Sequence, residues 1–285
     1  MSILKIAIQK SGRLNEESIQ ILKDSGISIN NGNDQLKATA SNFPLEVYYL
    51  RNSDIPQYLI DGVVDVAIVG DNLLVEKGQN IQVVEKLGFS KCKVSVAVPK
   101  TFNYNSIEDL RGLRIATSYP NTVTNYFASK NIPIEIHQIS GSVEIAPNIG
   151  LSDAIVDIVS SGSTLFKNNL KEVEVILKSE AVLAVSPLIS SEAKDILDKL
   201  LFRIQSVQRA RKSKYILMNV PNNKISEVSK ILPVLKSPTI MPLADEGWSS
   251  LHSVIDEEKF WEVIDRLKIA GAEGILICPI EKIVL

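Results

Sequence analysis

Two neighbouring segments carry the side chains best suited to chemistry: Gly141-Ser-Val-Glu-Ile-Ala-Pro147 and Asp153-Ala-Ile-Val-Asp-Ile-Val-Ser-Ser-Gly-Ser-Thr164. In the second, an apolar run delivers a loop of hydroxyl and glycine residues, Ser160, Ser161, Gly162, Ser163 and Thr164. Backbone N–H groups in such a loop can converge on a phosphate, with the hydroxyls as further donors. Asp153 and Asp157 stand four residues apart on the run itself, and Glu144 lies in the segment before it. Carboxylates beside a phosphate cradle repel it unless they address ribose hydroxyls or a bound Mg²⁺. Together these groups form the equipment of a sugar-phosphate site. Read alone, the loop is equally an ordinary polar turn before a helix, with Asp153 as a cap.

Elsewhere, Lys10 and Arg13 bracket a Ser-Gly turn, Asp71 follows an apolar run, and Tyr119 precedes a proline. The first two are either phosphate ligands or a solvated pair. Asp71 is either a hydrogen-bond acceptor for a ligand or a helix cap, and Tyr119 either flanks a ligand or closes a turn. His137 and His252 lie in strand-like sequence without companion ligands, and Cys92 and Cys278 read as inert core thiols.

Composition narrows the chemistry. The 285 residues carry 31 Lys and Arg against 33 Asp and Glu, a net charge of −2, with no basic excess for a nucleic-acid backbone. Two cysteines and two histidines exclude a disulfide scaffold and a cysteine zinc site. An enzyme of this composition works with carboxylates, cations and backbone amides. The apolar start is interrupted by Lys5 and Lys10, and no later run approaches the length of a membrane span. A cytoplasmic protein without membrane contact is expected.

The elements that must position these residues fall into three blocks. Ile3 to Ile8, Leu45 to Leu50 and Val63 to Val69 are strand candidates, and helices follow Arg13 and Asp54. The pattern restarts after Leu87 with strands over Lys93–Val98, Arg114–Thr117, Ile134–Ile139, Ala154–Val159, Val173–Leu177 and Ala181–Val185. Alternation of this kind predicts parallel sheets wrapped by helices, in two lobes with a cleft. A helix with Ala193, Ile196, Leu197, Leu200, Leu201 and Ile204 on one stripe leads into a solvated linker, Arg209 to Lys214. The remainder reads βαββαβ, a ferredoxin-like unit.

Five motifs, in order, resemble those of ATP phosphoribosyltransferases: the Lys10–Leu14 loop, Asp61 to Asp65 with Gly70-Asp71, Arg114 to Asn121, Gly141 to Pro147 with the 153–164 segment, and Ser237 to Leu243. The resemblance spans the chain and is to the long form. It implies an α/β fold with a two-lobed, periplasmic-binding-protein-like catalytic core plus the C-terminal ferredoxin-like domain. Lobe I then takes residues 1–91 and 182–208, lobe II residues 92–181, and a regulatory domain residues 212–285. The implied reaction joins N1 of the ATP adenine to C1 of phosphoribosyl pyrophosphate, with Mg²⁺. Ser160 to Thr164 would hold the 5′-phosphate, and Asp153, Asp157 and Glu144 the ribose or metal. Lys10 and Arg13 would meet phosphates, while Asp71 and Tyr119 would contact adenine. The resemblance further implies feedback by histidine, with Asn219, Thr239, Ala272 and Gly274 as contributors, and homo-oligomers from dimer to hexamer. A non-catalytic solute-binding clamshell would share the two lobes, and another phosphoribosyltransferase would share the phosphate loop.

Overall fold

The computed structural model describes residues 2–30, 36–78, 81–160, 162–232 and 237–284. The chain forms two compact units, Met1–Gln20 with Ile27–Leu197, and Ile21–Gly26 with Asp198–Leu285. The first unit begins with β1 (Leu4–Gln9), α1 (Arg13–Asp24), β2 (Lys37–Thr39), β3 (Leu45–Leu50), α2 (Ile55–Ile60), β4 (Val66–Gly70), α3 (Asp71–Lys77) and β5 (Gln82–Lys86). It continues through β6 (Cys92–Pro99), β7 (Arg114–Thr117), α4 (Pro120–Ser129), β8 (Glu135–Gln138), β9 (Ala154–Val159), α5 (Ser163–Lys167), β10 (Leu170–Ser179) and β11 (Ala181–Val185). The helix α6 (Ser191–Lys212) follows.

Two sheets divide the first unit, in the orders β2-β3-β1-β4-β11-β5 and β10-β6-β9-β7-β8. The chain leaves the first sheet after β5 and returns to it as β11. Both sheets are mixed rather than parallel. β1 runs parallel to β3 and β4, but the returning β11 is antiparallel to β4 and β5. In the second sheet β7 is parallel to β8 and β9, while β6 opposes β9 and β10. Alternating β and α segments do not distinguish a crossover from a strand that simply crosses between lobes, which is why the expected all-parallel order fails. β1, β4 and β11 are buried on both faces, as their near-continuous apolar sequences require.

The second unit holds the latter part of α6, then β12 (Ser213–Pro221), α7 (Ile225–Ile231), β13 (Thr239–Pro242), β14 (Trp248–Asp256), α8 (Glu257–Ile269) and β15 (Glu273–Pro279). Its sheet has the order β13-β14-β12-β15, antiparallel throughout, the arrangement of a ferredoxin-like βαββαβ unit. Ile216, Met218 and Val220 pack with Val228, Val263 and Leu267 into one core, so alternate β12 residues face the helices. The expected linker at Arg209–Lys214 is absent. Val207 and Ala210 extend the buried stripe of α6 through the basic stretch, and β12 begins on the next residue after Lys212.

Candidate active site

Parallel α/β sheets collect ligand groups at the carboxyl ends of their strands. In the first lobe those ends carry Lys10 after β1, Asp71 after β4, and Lys86 as the last residue of β5. In the second lobe they carry Tyr119 just beyond β7 and Ser160 just beyond β9. β10, parallel to β9, brings Lys178 and Ser179 to the same edge at its carboxyl end, and β6, which runs the other way, brings Cys92 and Lys93 there at its amino end.

Two adjoining cavities occupy this edge. The larger, ≈ 410 Å³, is lined by Asp71, Lys86, Lys91, Cys92, Lys93, Val159, Ser160, Lys178, Ser179 and Glu180. The smaller, ≈ 140 Å³, is lined by Glu144, Asp157, Ile158, Val159, Ser160, Gly162, Thr164 and Leu165. Val159 and Ser160 belong to both.

The smaller cavity is built from locally enforced geometry. Buried Val159 and Leu165 bracket the 160–164 loop, and Gly162 turns it in the left-handed region at φ 73°. Ser161 lies outside the described residues. Glu144 sits in a 3₁₀ turn (Val143–Ile145) pinned by buried Val143 and Ala146, and is entered through Gly141 and Ser142 at φ 82° and 51°. Asp157 is half-buried on β9, opposite Ser95, and its Oδ1 accepts the Ile158 N–H at 2.8 Å. Burial pushes its carboxyl above the usual range. The nearby Glu144 charge adds to that rise, against the pull of the Ile158 amide. A hard divalent cation suits such a carboxylate pair. Among the described residues no cluster of three or more His, Cys, Asp or Glu forms a metal cage. A Mg²⁺ ion here would complete its shell with substrate oxygens and water.

The larger cavity shows what sequence reasoning missed. Lys86, Lys91, Lys93 and Lys178 come from separate elements, so no motif announces them. Lys93 and Lys178 stand directly opposite across the β6–β10 pair, an arrangement that like charges disfavour. Glu172 takes up the Lys93 ammonium at 2.7 Å. A site that retains opposed lysines is suited to an anion. Cys92 lines this cavity half-buried and is no core thiol, and burial pushes its thiol up.

Tyr119 precedes α4, and its hydroxyl accepts a 3.4 Å hydrogen bond from Asn72 Nδ2. Burial first, and then the Asp157 charge, push its phenol well above the ordinary value. Asp71 opens α3, with its N–H bonded to the Glu180 carbonyl at 3.0 Å. Lys10 is exposed, and its N–H binds the Leu50 carbonyl at 2.8 Å. Arg13 begins α1 and is not a bare cation, because Glu17 holds its Nε at 3.2 Å.

One assigned residue is misplaced. Asp153 precedes β9 and therefore lies at the amino end of the strand, away from the loop. Arg114 occupies its carboxylate through Nε at 3.1 Å and Nη2 at 2.8 Å, and the Arg114 N–H adds a third bond at 3.0 Å. These bonds hold Asp153 below the usual carboxylate range, so it is an ion-pair partner rather than a ribose ligand.

In the second unit, Asn219 faces Ser250 on one side and Glu273 on the other, and a Cβ built on Gly274 lies 3.4 Å from Asn219 Nδ2. Asn219 and Gly274 are thus brought together. Thr239 is exposed on β13 opposite His252, across β14 from Asn219 and two residues out of step with it. Ala272 is buried, and its N–H binds the Leu267 carbonyl at 3.0 Å. The ring nitrogens of His252 are engaged by Tyr215 and Ser250, each at 2.9 Å.

Known proteins agree with this architecture. The family model described as ATP phosphoribosyltransferase matches residues 51–206, and that described as HisG, C-terminal domain, matches residues 210–282. An ATP phosphoribosyltransferase of Cytophaga hutchinsonii is 58% identical over 283 residues, covering 99% of both chains. A solved ATP phosphoribosyl transferase (HisG:HisZ) complex from Thermotoga maritima contains a chain 30% identical at TM-score 0.62, covering 71% of this chain and 96% of that one. The crystal structure of Tv2483 bound to L-arginine shares the fold at TM-score 0.51 and 16% identity, covering 73% of this chain and 85% of its own.

Proposed function

We propose how this site works from one premise, that the chain belongs to the ATP phosphoribosyltransferase family. The enzyme transfers the phosphoribosyl group of phosphoribosyl pyrophosphate to N1 of the ATP adenine, releasing pyrophosphate, the first step of histidine biosynthesis. The observation that carries the assignment of roles is the pair of cavities sharing Ser160, one acidic and loop-lined, the other lysine-lined.

The phosphoribosyl donor sits in the smaller cavity. Its 5′-phosphate lies on the loop from Ser160 to Thr164, and its ribose hydroxyls lie beside Asp157 and Glu144. ATP occupies the larger cavity, whose size is within the ~300–1,000 Å³ usual for small-molecule sites. Asp71 accepts from the adenine amino group and Tyr119 flanks the ring. Lys86, Lys91, Lys93 and Lys178 face the phosphates of ATP, and Lys10 and Arg13, after β1, meet phosphates of ATP or of the departing pyrophosphate.

Adenine N1 carries a lone pair and no proton, so attack needs no base beforehand. As the N1–C1 bond forms, the C1–O bond breaks and its electron pair leaves with pyrophosphate. Positive charge grows on the ribose, where the carboxylates of Asp157 and Glu144 stabilise it. Preorganised charge of this kind is worth ~3–4 kcal/mol of barrier per group. Asp157 and Glu144 would hold Mg²⁺, which when bound would supply neutralising charge for the leaving pyrophosphate.

Regulation by histidine is assigned to the ferredoxin-like unit at Asn219 and Gly274, and association with further copies of the chain accompanies it. Residence in the cytoplasm fits both substrates. No described helix is long and apolar enough to cross a membrane. The test is pyrophosphate release from ATP and phosphoribosyl pyrophosphate, with and without Mg²⁺, while histidine is titrated. Turnover should need Mg²⁺, and Asn219→Ala should shift half-inhibition at least tenfold upward. An unshifted histidine curve removes the effector from Asn219, and turnover undiminished in a chelator removes the metal.

A further inference from the structure

Helix α4 begins without a cap of its own. Tyr119 occupies the capping position with no side-chain bond to the helix, and Pro120 has no N–H to donate. Its first two free amides are instead bound from the other lobe. The Glu76 carboxylate on α3 accepts the N–H groups of Asn121 at 3.0 Å and Thr122 at 2.8 Å, and the Thr122 hydroxyl at 2.7 Å. The Glu76 carbonyl accepts Asn121 Nδ2 at 3.0 Å. Both Glu76 and Thr122 are 6% exposed.

One turn earlier on the same helix, buried Asn72 reaches the same lobe at two further places. Its Nδ2 donates to the Tyr119 hydroxyl, and Ser179 at the end of β10 accepts its N–H and donates to its Oδ1, both at 2.9 Å. Asn72 and Glu76, four residues apart on one helix face, therefore fasten the lobes together on either side of Tyr119. A helix terminus capped by a foreign carboxylate holds only while the two lobes keep one relative setting.

We propose that Glu76 is the positioning residue that sets the ATP side of the cleft, by capping α4 across the lobes and so fixing Tyr119. The inference rests on the placement of adenine beside Tyr119 and Asp71 given above. It has a selective consequence. Glu144, Asp157 and the 160–164 loop all belong to the second lobe and keep their geometry if the fastening is cut. The ATP cavity draws Asp71 and Lys86 from the first lobe and Lys93, Lys178 and Ser179 from the second, and Asn72 ties Ser179 and Tyr119 to α3, so its shape depends on the fastening.

The test is steady-state kinetics of full-length Glu76→Gln. The amide keeps the volume but turns one acceptor into a donor facing N–H groups. The KM for ATP should rise at least tenfold while that for phosphoribosyl pyrophosphate stays within twofold, and amide hydrogen exchange at Asn121 and Thr122 should accelerate. Glu76→Asp should restore part of the ATP affinity. Should Glu76→Gln fail to fold, Thr122→Val removes one bond of the same set and should raise the ATP KM about threefold with the same selectivity. Equal rises in both KM values, or no rise in either, overturn the proposal. Tyr119→Ala run in parallel separates the two readings. If it leaves the ATP KM unchanged, the adenine placement is wrong. If it raises that KM while the Glu76 and Thr122 variants do not, only the positioning role falls.

Discussion

Gly162 and Gly150 form a matched pair for locating the donor's 5′-phosphate. Both are left-handed, at φ 73° and 77°, and a Cβ built on either meets no atom within 4 Å. Substitution by alanine thus adds a backbone penalty of about 1–2 kcal/mol at each and no clash. The two variants should lose the same stability, a few degrees in melting temperature at roughly 2–4 °C per kcal/mol. They differ in what surrounds them. Gly162 lines the cavity with Glu144 and Asp157, and Gly150 does not. A phosphate drawn against the loop backbone would meet the new methyl at 162 and lose about one charge-assisted hydrogen bond, worth ~1.5–3 kcal/mol. At about 1.4 kcal/mol per factor of ten, the donor KM rises roughly 10- to 150-fold in Gly162→Ala. In Gly150→Ala it stays at the wild-type value. The assay is pyrophosphate release against donor concentration at saturating ATP, with melting curves on the same samples. Equal donor KM values in two equally destabilised variants would refute the placement of the phosphate on this loop.

Two further substitutions separate the aspartates of β9 and its approach. Asp157→Asn should lower kcat roughly 10²–10³-fold, the usual loss for one preorganised electrostatic group. It should also stabilise the free enzyme at pH 8. Burial raises the Asp157 pKa, so its charged form weighs against folding above that pKa and the effect vanishes below the unfolded carboxylate range. A melting temperature lower than wild type at pH 8 contradicts the burial argument. Asp153→Asn should leave both KM values and kcat unchanged and lower the melting temperature only slightly, because its pair with Arg114 is part-exposed and screened by solvent. The Asp153 pKa is depressed, so its contribution is present above the ordinary carboxylate range and is lost as pH falls through the native value. A fall in kcat in this variant returns Asp153 to the active site.

The two aspartates also show why part of the site is legible in sequence and part is not. On a helix, a four-residue spacing puts two carboxylates side by side. On a strand the same spacing keeps them on one face but separates them by about 13 Å, beyond the span of one ribose. The strand at Ala154–Val159 is plain from its apolar run, so its geometry already argues against a shared ligand. The loop that follows, and Glu144 between Val143 and Ala146, are legible because their positioning residues are sequence neighbours. The four lysines and Glu76 are not, for a physical reason. Lys93 meets Lys178 only because β6 and β10 pair antiparallel, and Glu76 meets Thr122 only because α3 and α4 come together. Such contacts are set by strand order and lobe setting, which short segments such as α3 and β5 do not advertise. The groups that define each half of the cleft are therefore encoded locally, while the groups that join the halves are encoded only by the fold. On that division, substitutions at Glu144, Asp157 and Gly162 should act on the phosphoribosyl donor, whereas substitutions at the α3–α4 contact should act on ATP.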